Sequence, residues 1–225
     1  MIREKVCYYA DNLERWKQRQ TMTTLARWES AWRHLGVANS DSELFQRLVA
    51  CYSEPHRKYH TLQHLEECFA FLDRVASSAE RIGEVELALW FHDAIYNTRK
   101  KDNEKQSAEW AHECALAGGL SNDQAKRIFE LVMVTKHNAV LTGRDAQVLV
   151  DVDLGILGAD LQRFDEYEGQ VRQEYSWVPE FLYKRERRKV LQEFAGRSTI
   201  YSTDYFRSEY EARARENIAR SLARL

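Results

Sequence analysis

At 225 residues, with 44% hydrophobic residues and a net charge of -2, the chain has the size and composition of a globular protein with a substantial core. That charge gives no electrostatic footprint for duplex nucleic acid or an acidic membrane, and no apolar run approaches the length of a bilayer span. Met1-Ile2-Arg3-Glu4-Lys5 carries no apolar signal segment, and four scattered cysteines fit reduced thiols, so the expected location is the cytoplasm.

Two prolines and nine glycines are few for this length, and helical periodicity recurs throughout. Residues 3–18 and 24–35 read as two amphipathic helices, the second stopped by Gly36. Trp28 and Trp32, one turn apart, read with Trp16 as core or as a contact between these helices. Ser40-Asp41-Ser42-Glu43 has capping-box spacing and opens a third helix that ends before Pro55. A fourth is expected from Lys58 to Val75, with Leu62, Leu65, Phe69 and Leu72 on one face. Val85 then leads into Leu87-Ala88-Leu89-Trp90-Phe91-His92-Asp93-Ala94-Ile95-Tyr96, which is apolar on almost every side and therefore predicts a central, buried helix.

Lys100 to Asp102 reads as a charged turn, and Asn103 opens a helix closed by Gly118-Gly119. Ser121-Asn122-Asp123-Gln124 is another capping box, leading a helix to Lys136. From Asp145 the positions Ala146, Leu149, Val150, Leu154 and Leu157 keep helical spacing. Helices over 160–177, 180–195 and 203–225 complete an all-α chain without a convincing strand, repeat or linker. The run Lys184-Arg185-Glu186-Arg187-Arg188-Lys189 is balanced by nearby acids and reads as a solvated face.

The chemistry begins at His92-Asp93. A carboxylate desolvated in an apolar helix needs a cation or a set of donors, and a metal ion satisfies it and the adjacent imidazole together. His60 and His64 are four apart, so on one helix they share a stripe beside Leu62, Leu65 and Phe69. Asp153 falls on the buried stripe of its helix, whereas Asp151 falls on the opposite side. The assembled set is His60 (or His64), His92, Asp93 and Asp153, a mixture of imidazole and carboxylate suited to divalent Mn, Fe, Co, Ni, Zn or Mg. The absence of thiolates argues against a closed structural zinc site.

The order His, then His-Asp, then Asp on a helical chain resembles the HD-domain metal-dependent phosphohydrolases. Glu54-Pro55-His56-Arg57-Lys58-Tyr59-His60-Thr61-Leu62-Gln63-His64, Trp90-Phe91-His92-Asp93-Ala94-Ile95-Tyr96, Asn103-Glu104 with Ser107-Ala108, and Asp153-Leu154-Gly155-Ile156-Leu157-Gly158 are similar to a predicted subfamily of that group. The resemblance implies an HD-like helical bundle within 1–225, in which N-terminal helices over 1–53 pack on a metal-binding core over 54–225. It implies four ligands at His60, His92, Asp93 and Asp153, with His64 the alternate first ligand, and His60 is preferred because Arg57 and Thr61 flank it.

It further implies hydrolysis, by a metal-activated water, of a phosphoester or phosphoanhydride in a small phosphorylated metabolite such as a nucleotide. Tyr96 and Asn97 stand where the guanosine-tetraphosphate hydrolases of that group carry an acidic pair, which counts against that substrate. Glu104 is the candidate for orienting the water, or an ordinary first-turn acid. His137 is a candidate for the leaving oxygen or a second ion, and with Lys136 equally a complement to a helix C-terminus. Arg57, Lys58, Lys136, Arg172 and Tyr175 are the candidates for binding phosphate and substrate, with Arg187 beside them. The alternative reading is a non-catalytic helical protein that binds a metal or nucleotide.

Overall fold

The apolar segment around Trp90 forms the axis of an all-α structure. The computed structural model describes residues 24–137 and 141–225, and among these there is no strand. The first helix, α1, covers 24–34. Then come α2 (Ser42–Tyr52), α3 (Leu62–Val75), α4 (Ile82–Phe91), α5 (Asn103–Ala117), α6 (Asn122–Val134), α7 (Arg144–Asp153), α8 (Leu161–Glu174), α9 (Glu180–Gly196), α10 (Asp204–Glu209) and α11 (Glu211–Arg224). Short 3-10 turns, Ala76–Ser78 and Leu154–Gly158, follow α3 and α7. The helix expected over 3–18, with Trp16, and the residue Asn138 lie outside the described residues.

Every residue of α4 from Gly83 to Phe91 is buried, and α3, α5, α6 and α7 pack around it. Polar groups in such a helix require partners. Glu84 receives two hydrogen bonds from Arg127, at 2.6 and 2.8 Å. Glu86 lies 2.6 Å from the His34 Nδ1 and 3.5 Å from Arg27. Trp90 is the aromatic hub, edge-on to Trp28 at 5.4 Å and to Phe45 at 5.9 Å, while the Tyr52 hydroxyl donates to its carbonyl. Trp28 and Trp32 are thus core residues, as their spacing implied.

Local side-chain caps set the starts of α2, α6 and α8. The Asp41 carboxylate accepts from the amides of Glu43 and Leu44, and Ser121 with Gln124 forms the complete capping box. After α1 the chain turns through Gly36 at φ +82, a conformation a Cβ would oppose. Among the described residues no helix is long and apolar enough to cross a membrane.

Three boundaries depart from the expectation. The helix α3 begins at Leu62, not Lys58, because the Glu174 carboxylate takes the amides of Lys58, Tyr59 and His60 at 2.7, 2.8 and 3.1 Å. Those donors hold 58–60 in a turn, and an extended Thr61 then opens the helix. The helix α4 ends at Phe91, so His92-Asp93 sits at its C-terminus and not in its middle. The C-terminal segment is two helices, broken at Tyr210, whose backbone presses on Gly158 so closely that a Cβ there would lie 2.9 Å from the Tyr210 carbonyl oxygen. Asp151, fully buried on its side of α7, anchors the entry to α10 by accepting from Ser202 and Thr203.

Candidate metal centre

Three helix ends bring the site together. His64 projects from the first turn of α3, His92-Asp93 follow α4, and Asp153 closes α7. The Nδ1–H of His92 donates to the Leu89 carbonyl at 2.7 Å, which leaves Nε2 facing the centre. Nε2 of His92 lies 3.2 Å from Nε2 of His64, 3.0 Å from Asp93 Oδ2 and 3.6 Å from Asp153 Oδ1. Nε2 of His64 lies 3.2 Å from Asp153 Oδ1 and 3.6 Å from Asp93 Oδ2.

Two imidazole nitrogens and two carboxylates turned on one another demand a positive charge between them. Burial alone would lower the pKa of His92, yet Asp93 and then Asp153 raise it to about 9. Burial likewise favours the neutral acids, but His92, His60 and His64 hold Asp93 below its ordinary value, and His137 and His64 do the same for Asp153. Donors about 2.1 Å from one ion are about 3.0 to 3.4 Å apart in octahedral or tetrahedral geometry, so these separations fit a divalent ion.

The group His64, Cys68, His92 and Asp153, with donor atoms all within 4.8 Å of one another, can hold a metal ion. Cys68, one turn after His64, corrects the picture of a set without sulfur. Its Sγ is 3.7 Å from both ring nitrogens of His64, and burial, with Asp153 and Asp93, pushes the thiol pKa well up. The i,i+4 spacing of His64 and Cys68 was the signal in the sequence that could have found it.

His60 occupies a different place. Because 58–60 is a turn, it does not share a helical stripe with His64. Its Nδ1 lies 2.7 Å from Glu174 Oε2, its ring stacks on Tyr96 with centroids 4.2 Å apart, and it opens on the cleft beside the centre. The geometry therefore brings His64, not His60, to the convergence. Glu174, absent from the sequence reading, also accepts from the Tyr96 hydroxyl. Against the effect of its burial, the His60 ring and then the Lys58 and His60 amides hold its pKa down at about 2.

The cleft has a volume of about 590 Å³. Asp93, Asp153, His60 and His137 reach it from the centre. Tyr96, Thr98, Lys100, Lys101 and Glu104 form one wall, and Tyr175, Trp177, Tyr183 and Arg187 another. His137 lies 3.1 Å from Asp153 Oδ2 through Nε2, in a left-handed backbone conformation at φ 57.

Four expected substrate groups are placed elsewhere. Arg57 is buried behind the site, donating to the carbonyls of His60, Asp93 and Ala94 and to Glu54. Arg172 braces the connection between α8 and α9 through the carbonyls of Tyr175 and Val178. Lys58 is exposed and donates to the Pro55 carbonyl, and Lys136 is exposed beyond α6; neither lines the cleft. Arg187 does line it, turned inward to Tyr167 and Glu168, unlike the solvated run around it. Lys100 and Lys101, expected only as a turn, supply the cleft with exposed cations.

Compared with protein-family models, with curated proteins and with solved structures, the chain has no significant match.

Proposed function

We propose that the chain is a metal-dependent phosphohydrolase acting on a small phosphorylated metabolite, with nucleoside phosphates the first substrates to test. One observation carries the reading: His64, His92, Asp93 and Asp153 converge, with donor separations of 3.0 to 3.6 Å, beside a cleft large enough for a mononucleotide. The order His, His-Asp, Asp is that of the HD-domain phosphohydrolases, which supports the assignment, with the first histidine moved from His60 to His64.

A divalent ion held by these four residues supplies Lewis-acid polarisation of a phosphoryl oxygen and acidifies water. The protein's own groups do the rest. Lys100 and Lys101 attract the anionic substrate, and Tyr175, Tyr183 and Trp177 offer flat apolar surface for the group that carries the phosphate. Glu104 is the cleft-lining acid available to orient water, and His137, tied to Asp153, is placed to meet the leaving oxygen.

The test is a phosphatase screen in the presence of Mn, Ni, Co, Zn or Mg. It spans nucleoside mono- and triphosphates, cyclic nucleotides, sugar phosphates and guanosine tetraphosphate, beside an Asp93→Ala control. Metal-dependent phosphate release that disappears in the control supports the reading. Release undiminished in Asp93→Ala, or no turnover of any substrate with any ion, overturns it.

A further inference from the structure

His60 is held more firmly than a surface histidine needs to be, and by groups that leave one of its nitrogens for something else. The Glu174 side chain is fully buried and binds five donors: the amides of Lys58, Tyr59 and His60, the His60 ring and the Tyr96 hydroxyl. One oxygen fixes the backbone leading up to and including His60, and the other fixes the imidazole itself. Tyr96 stacks on one face of the ring, and Tyr59 meets it edge-on with centroids 4.9 Å apart. Position, tilt and rotation of the ring are all determined.

With Nδ1 committed to Glu174, the other nitrogen is Nε2. Among the described residues no protein group hydrogen-bonds it, and the side chain is 21% exposed, in the wall of the cleft that also holds Asp93 and Asp153. A histidine serving only the fold would use both nitrogens or turn one to bulk water. Here the residue that carries the unused nitrogen lines the cavity where the reaction would occur. A carboxylate behind an imidazole orients it and strengthens the hydrogen bond its far nitrogen gives.

We propose, on the phosphohydrolase reading above, that His60 is a phosphate-contacting residue, presenting Nε2–H to a phosphoryl oxygen next to the metal centre, with Glu174 and Tyr96 as its positioning residues. It is a ligand of the substrate, not of the ion. A tetrahedral oxyanion bound at the centre would then be gripped from two sides, by the ion and by an imidazole whose placement is already fixed before binding.

The probe is inorganic phosphate, the expected product. Bound metal is counted by elemental analysis for wild type, His60→Ala and His60→Gln after loading with Mn, and phosphate affinity is measured by calorimetry on the loaded proteins. Both variants should keep the wild-type metal content and lose phosphate affinity by about ten-fold or more, the worth of one charge-assisted hydrogen bond. Tyr96→Phe, which keeps the ring and removes one donor from Glu174, should weaken phosphate less than either. Loss of metal in His60→Ala would make His60 a metal ligand, and unchanged phosphate affinity would leave it no contact with the anion; either overturns the inference.

A second measurement needs no variant. In wild type loaded with Mg or Zn, saturating phosphate should shift the ring nitrogen resonances of His60. Absence of that shift overturns the inference, whether or not an ion binds. A wild type that takes up no divalent ion overturns the metal reading instead, and the resonance shift still decides the contact with phosphate.

Discussion

Replacing Arg57 with alanine separates a structural arginine from a substrate-binding one. Its guanidinium donates to the carbonyls of Asp93 at 2.6 Å, Ala94 at 2.9 Å and His60 at 3.2 Å, and to the Glu54 carboxylate at 3.0 Å. It also lies between the rings of Tyr52 and Tyr96, 5.3 and 5.4 Å from their centroids. The variant leaves carbonyls without their donor and opens space between two rings. Each hydrogen bond from a charged donor contributes about 1.5–3 kcal/mol, and the bonds are not additive, so the cost should be about 3–5 kcal/mol. For a chain of this size that lowers Tm by about 6–20 °C. Because Arg57 also fixes the backbone at Asp93, metal affinity should fall with stability. The assay is thermal unfolding with and without a divalent ion, beside substrate kinetics. A Tm within about 3 °C of wild type, with the defect confined to a raised KM, would refute the clamp and restore Arg57 as a substrate residue.

Further outcomes are expected. Glu174 has a folded pKa of about 2 against an ordinary 4.5, so its contribution is present above about 4.5 and is lost as pH falls toward 2; urea unfolding of wild type and Glu174→Gln should converge as the solution is acidified. In chelated protein, His92 is raised from 6.5 to about 9, so its contribution is complete below 6.5 and lost as pH rises through 9. Melting at about pH 6 and about pH 9 should show that loss with chelator and show it removed by Mn, which replaces the proton. Gly155→Ala would bring a Cβ within 2.6 Å of the Phe71 ring two residues after Asp153; a loss of about 1–3 kcal/mol by chemical denaturation, with weakened metal uptake, is expected.

The features legible in the sequence were those set by local chemistry. The segment led by Val85 reads as apolar on almost every side and is buried through Phe91, and Ser121 caps the helix its spacing implies, whereas Asp41 and not Ser40 caps α2. His92 also lies 3.0 Å from Asp93 and 3.6 Å from Asp153. The choice between His60 and His64 depends on Glu174, more than a hundred residues further on, whose carboxylate turns 58–60 out of the helix. No periodicity near His60 reports that contact. Arg57, Arg172 and Lys58 hydrogen-bond to backbone carbonyls, contacts that leave no trace in the local sequence. Lys100 and Lys101 read as a charged turn, and no local pattern reports that this turn lines the cleft.

The most direct test of the metal centre is anomalous diffraction from a crystal of the protein loaded with Mn or Zn. The account predicts an anomalous peak within bonding distance of His64 Nε2, His92 Nε2, Asp93 Oδ2 and Asp153 Oδ1, with the His60 ring outside that distance and still paired to Glu174. A peak bonded to His60 in place of His64, or a loaded crystal with no peak among these four residues, would contradict it.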